Sequence, residues 1–232
     1  MPSSPSFNAG AAEAAGWPTA ILRLAEQALP DFLMRQRWYP AKDAGTPTVA
    51  LERLLPIPVP GAPAAAGIWA ATPPGQAPIR MLVALARVAA DAVPPSQVIC
   101  AIPAQAQDAA GADERQVLAE AFAIDDFVRA WAGMMLRETE ERPEPGADVR
   151  LVARRTAALP LDGTDTGAPL RVKRSSAEQS NTSIRLGDGM IMKAFRRLQD
   201  GTNPELEVGR FLTQEARFDA TPALLGWVSL EP

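Results

Sequence analysis

Ser183-Ile184-Arg185-Leu186-Gly187-Asp188-Gly189-Met190-Ile191-Met192-Lys193-Ala194-Phe195 decides how the chain is read. Two runs rich in β-branched and apolar residues flank Gly-Asp-Gly, a composition that admits the positive backbone angles of a tight hairpin turn. The spacing therefore predicts strands at 183–186 and 190–195 joined at 187–189. Downstream, Asn203-Pro204 reads as a helix start: Asn supplies a capping side chain, and Pro fits the first helical position, where an N–H is not needed. Upstream, the polar run Glu178-Gln-Ser-Asn-Thr-Ser183 lies between this hairpin and a strand beginning at Leu170–Arg174.

Working further upstream, Leu161–Pro169 reads as a loop, Val149–Thr156 as a strand and Glu138–Asp148 as a linker. Val117, Leu118, Ala121, Phe122, Phe127, Val128, Trp131, Met134 and Met135 repeat at three-four spacing. That spacing predicts one helix from about Asp113 to Arg137. Thr48–Leu55, Ile79–Val88 and Val98–Ile102 read as strands. Pro56–Pro78 reads as loop around a short strand at Ile68–Ala70. Ile21, Leu22, Leu24, Ala25 and Ala28 predict a helix from Pro18 that Pro30 closes. A second short helix is expected over Asp31–Arg37, with Asp31 as its cap. Residues 1–16 read as a disordered tail. No internal repeat is visible. The fold class expected is α+β, built from an antiparallel-sheet cap with helices and then part of a protein-kinase-like N-lobe.

Composition bounds the function. The chain has 232 residues, 47% of them hydrophobic and 22% charged, within the globular range. Its net charge of −4 gives no basic footprint for nucleic acid. Arg171, Lys173 and Arg174, with Lys193, Arg196 and Arg197, form basic clusters, which suit either a small anion or a solvated strand face. The single cysteine, Cys100, cannot close an intrachain disulfide and is expected to be a buried strand residue. With no histidine in the chain, Ser-His-Asp, Cys-His and His-ligated metal chemistry are excluded. No apolar run reaches the ~18–20 residues of a membrane span, and no leader-like start is visible. A soluble cytoplasmic protein is expected.

The polar run 178–183 has backbone N–H groups and hydroxyls suited to phosphate oxygens, yet no Walker A loop exists in the chain. Lys193 stands in an otherwise apolar strand, where an ammonium needs a partner, and Glu205 and Glu207 lie in the helix that follows. Loop, strand lysine and helix glutamate, in that order, match the parts of a kinase N-lobe. The alternative reading of the same order is a surface lysine on an edge strand.

Ser176-Ala-Glu-Gln-Ser-Asn-Thr-Ser-Ile184, Met190-Ile-Met-Lys-Ala-Phe-Arg-Arg-Leu198 and Gly201-Thr-Asn-Pro-Glu-Leu-Glu207 together resemble the maltokinase family. Leu29-Pro-Asp-Phe-Leu-Met-Arg-Gln-Arg-Trp-Tyr-Pro-Ala-Lys42 is similar to that family's N-terminal cap signature. The resemblance touches both ends of the chain, while about 57–110 diverges.

The resemblance implies an aminoglycoside-phosphotransferase-like kinase. Such an enzyme transfers the γ-phosphoryl group of ATP to maltose, giving maltose 1-phosphate for α-glucan and glycogen synthesis, and many members are fused to trehalose synthase. It implies that Lys193 contacts ATP phosphates, that Glu207 orients it (Glu205 being the weaker candidate), and that Gln179, Ser180, Asn181 and Thr182 cover the phosphates. Residues 37–42 take a structural role in the cap. The implied organisation is a cap at 17–110, an intermediate helix and strand segment at 111–170 and a partial N-lobe at 171–232. Family catalysis also needs an Asp in a His-x-Asp loop, with magnesium ligands in a following lobe. A chain without histidine cannot supply that loop. The expectation is thus an N-terminal portion, inactive alone, with no catalytic or metal residue of its own and with ATP and Mg used by the complete enzyme. Two alternatives stand beside it: a related kinase with another acceptor, and a non-catalytic cap that binds nucleotide or a partner.

Overall fold

The computed structural model describes residues 17–106, 115–141, 149–159, 169–174 and 181–231. The expected tail at 1–16 lies outside them, as does most of the expected linker and of the loop at 161–169. The described elements are α-helices and antiparallel sheets, an α+β fold. The chain forms two compact units. One comprises 1–128 with 171–198, and the other 129–170 with 199–232. These units are interleaved in sequence.

The first unit opens with helix α1 (Thr19–Arg35). Ile21, Leu22, Ala25, Leu29, Phe32 and Leu33 are buried along it, one stripe that runs past Pro30 without a break. The expected stop at Pro30 and second helix at 31–37 are therefore corrected to one helix. Burial of the stripe on both sides of the proline outweighs the hydrogen bond the ring removes.

Against α1 lies a sheet of five strands: β1 (Thr48–Ile57), β2 (Ala64–Thr72), β3 (Ile79–Ala89), β4 (Val98–Ala101) and β5 (Gln116–Glu120). Their order is β1-β2-β3-β5-β4, every pair antiparallel. The core joins the α1 stripe to Leu51, Leu54, Trp69, Met81, Val83, Leu85, Ile99 and Leu118. Cys100 on β4 is half-buried rather than buried, and burial pushes its thiol pKa up.

Two sequence expectations fail in this sheet. β2 is nine residues long, not the short strand expected inside a loop. Ala64-Ala-Ala-Gly67 shows no alternation because small residues fill both faces of a central strand. The expected helix at 113–137 begins only at Asp125. Val117, Leu118, Ala119 and Glu120 are all buried in β5, between β3 and β4, a position that covers both faces as one side of a helix would not. A turn at Ala121–Ala123 then leads into helix α2 (Asp125–Arg137).

The hairpin expected around 187–189 is present. β9 (Asn181–Leu186) and β10 (Met190–Phe195) pair from Met190 opposite Leu186 to Phe195 opposite Asn181, and Gly187 turns with φ 58°. β8 (Val172–Arg174) joins the other edge of β9. Beyond β10 the chain passes to β3: Leu82 N–H donates to the Arg196 carbonyl at 2.7 Å, and Leu198 N–H to the Arg80 carbonyl at 2.9 Å. The hairpin is thereby bonded to the five-stranded sheet.

In the second unit β6 (Glu140–Glu141), β7 (Arg150–Arg155) and β11 (Gly226–Glu231) make an antiparallel sheet in the order β11-β7-β6. Strand β11 pairs with β7, from Gly226 opposite Arg155 to Glu231 opposite Arg150. Helix α3 (Pro204–Arg210) starts as expected, with Asn203 Oδ1 accepting from Glu205 N–H at 2.8 Å.

Candidate functional site

Strand alternation sorts the hairpin residues onto two faces. Thr182, Ile184, Leu186, Met192 and Ala194 are buried on one. The other carries Asn181, Ser183 and Arg185 from β9 and Ile191, Lys193 and Phe195 from β10, in the pairs Ile191–Arg185, Lys193–Ser183 and Phe195–Asn181. Ile191 is 67% exposed, the highest value among the large exposed apolar side chains. An apolar side chain, an ammonium and a side-chain amide thus share one accessible face. That combination suits a ligand with an apolar part and an anionic part.

Lys193 is exposed, so the argument that it is buried among apolar neighbours is corrected. Met192 and Ala194 turn the other way. The deeply buried cation of the segment is Arg196, with 1% of its surface exposed. It donates to both carboxylate oxygens of Glu120, at 2.9 and 3.1 Å, and to Thr182 Oγ1 at 2.7 Å. Its guanidinium carbon lies 4.9 Å from the Trp38 ring centroid and 4.8 Å from that of Phe122.

The structure brings Asn181 and Lys193 onto one face and sends Thr182 to the opposite one, where its hydroxyl accepts from Arg196. Gln179 and Ser180 lie outside the described residues. Glu207 is exposed in α3, in the other unit. The basic clusters are partly committed to internal pairing. Besides Arg196, Arg174 donates to Asp125 and to the Phe122 carbonyl, each at 2.8 Å.

The sequence reading missed Arg196 and Glu120 as a pair. The only local signal was a doubled arginine after an apolar strand, and its partner lies 76 residues away. A cleft of about 500 Å³ is lined by Pro40, Asp43, Gln76, Ile79 and Arg197, among others; it includes Arg197 of the basic cluster but none of Asn181, Thr182, Lys193 and Glu207. Among the described residues no three Cys, Asp or Glu side chains group as metal ligands. No described helix is long and apolar enough to cross a membrane. No protein-family model matches the chain.

Proposed function

We propose that these residues form the N-terminal, phosphate-covering portion of a cytoplasmic ATP-dependent sugar kinase of the maltokinase kind. The observation that carries the reading is the exposed face of the hairpin, where Lys193 stands opposite Ser183 and beside Ile191, immediately after the Glu178–Thr182 run. The motif resemblance, carried by the same segment, supports it as well.

ATP, when bound, supplies the transferable phosphoryl group. The chain's own contribution is positional. The Lys193 ammonium neutralises phosphate charge, the Asn181 amide donates to a phosphate oxygen, and Ile191 gives an apolar surface beside them. Glu207 as the residue that orients Lys193 rests on the resemblance alone. Magnesium is assigned to no residue here. The catalytic carboxylate belongs, in this reading, to residues beyond these 232, because a chain without histidine has no His-x-Asp loop.

The test is an assay of the longest polypeptide its reading frame encodes, with Mg-ATP and a panel of acceptors including maltose. Formation of maltose 1-phosphate is expected. Turnover with another acceptor only would move the assignment to a related kinase. ATP binding with no turnover would favour a non-catalytic module, and neither binding nor turnover would end the reading.

A further inference from the structure

Arg196 leaves β10 three residues after Lys193 and enters a closed pocket. Both Arg196 and Glu120 are essentially removed from water, with 1% and 2% of their surfaces exposed. Two N–H groups meet the two carboxylate oxygens, the Nε–H meets Thr182, and Trp38 and Phe122 lie against the guanidinium. Phe122 is itself fixed edge-on to Phe127, with ring centroids 5.0 Å apart. The main chain is held as well, through the bonds from Leu82 to Arg196 and from Leu198 to Arg80.

A buried ion pair is a poor source of stability, since apolar side chains of similar volume often do as well. What it supplies is direction. A planar bidentate pair tolerates little rotation and ties one strand end to one place on a distant element. Here the two elements are β5 of the N-terminal sheet and the end of the strand that carries Lys193.

We infer that Glu120 and Arg196 are positioning residues, which fix the end of β10 on the five-stranded sheet and so set where Lys193 presents its ammonium. Thr182 takes part through its hydroxyl, as a member of the frame on the reverse side of the hairpin. The N-terminal sheet is then the support of the phosphate-covering hairpin rather than a separable module. The inference rests on the kinase reading for its functional consequence, though not for the mechanical one.

The double variant E120L/R196M removes both charges together and leaves no unpaired one buried. In the full-length protein it is expected to melt close to wild type and to raise KM for ATP about tenfold or more, as misplacement of a contact group does, with KM for the sugar unchanged. Wild-type KM for ATP and kcat in a stably folded double variant would overturn the inference. Arg196→Lys, which keeps the charge and loses the planar fork, serves as a second variant, with a smaller shift in the same direction expected.

Amide hydrogen exchange on the 232-residue chain without nucleotide gives an independent reading. Faster exchange is expected in 190–195 of the double variant, with 64–72 unchanged. Identical exchange in 190–195 overturns the mechanical claim. Absence of any kinase activity in the wild-type protein would sink the kinase reading alone, and the exchange result would still decide the positioning.

Discussion

The indole N–H of Trp69 donates to the carbonyl of Val83 at 3.0 Å, passing directly over Gly67. A Cβ at position 67 would overlap the indole ring and stand 2.8 Å from that same carbonyl oxygen. Gly67 is therefore required by close approach, in the middle of a strand where glycine is otherwise unfavourable. Gly67→Ala should lower stability by about 1–3 kcal/mol through overpacking. Chemical denaturation at constant m-value measures it, and an unchanged midpoint would show that the indole moves aside freely.

Pro30 lies in the interior of α1, with Leu29 and Phe32 buried on either side of it. Its ring removes the bond that an N–H at 30 would give to the Glu26 carbonyl. Pro30→Ala should stabilise the chain by about 1–2 kcal/mol, the gain in helix propensity less the added freedom of the unfolded chain. A fall in Tm would mean that packing of the pyrrolidine ring outweighs both.

Glu140 lies between Arg154 at 2.7 Å and Arg150 at 3.0 Å. The hydrogen bond from Arg154, reinforced by the charges of both arginines, holds its carboxyl below the usual glutamate range. Because the folded pKa is depressed, the contribution to stability is complete above the unfolded pKa. It is lost as pH falls through the folded one. Glu140→Gln should therefore be less stable than wild type at neutral pH, and the two should converge in acid. Since the group is at the surface, high salt should shrink the difference at pH 7. A gap independent of pH and salt would assign the effect to packing.

Lys193→Ala in the full-length protein should leave the thermal midpoint almost unchanged, because the side chain is exposed. ATP-dependent turnover should fall about 100-fold or more, as when a preorganised charge partner is removed. Full activity in the variant would strip Lys193 of the role assigned to it.

Local chemistry made the hairpin and the start of α3 legible: Gly-Asp-Gly at 187–189 and Asn203-Pro204 each act within a few residues of themselves. The errors have one cause, tertiary burial overriding a local signal. Pro30 should stop a helix, yet the stripe from Ile21 to Leu33 keeps it whole. Val117, Leu118, Ala121 and Phe122 fit a helical period by spacing, yet 117–120 is more completely buried as a strand. Period-two alternation is enough to pair Asn181 with Lys193 on one face. It gives no hint that Thr182 faces an arginine, because that arginine is placed by Glu120 at a separation of 76 residues.

That separation bears on how the protein is made. During synthesis, the α1 helix and all five strands of the first sheet are complete once Glu120 has left the ribosome. Its counter-charge emerges 76 residues later. At elongation rates of about 5–20 residues per second, the interval is roughly 4–15 s. Throughout it, Glu120 is without the partner that lies against Trp38 and Phe122 in the finished fold. The cation of this pocket is thus delivered only after every strand of the five-stranded sheet has been made.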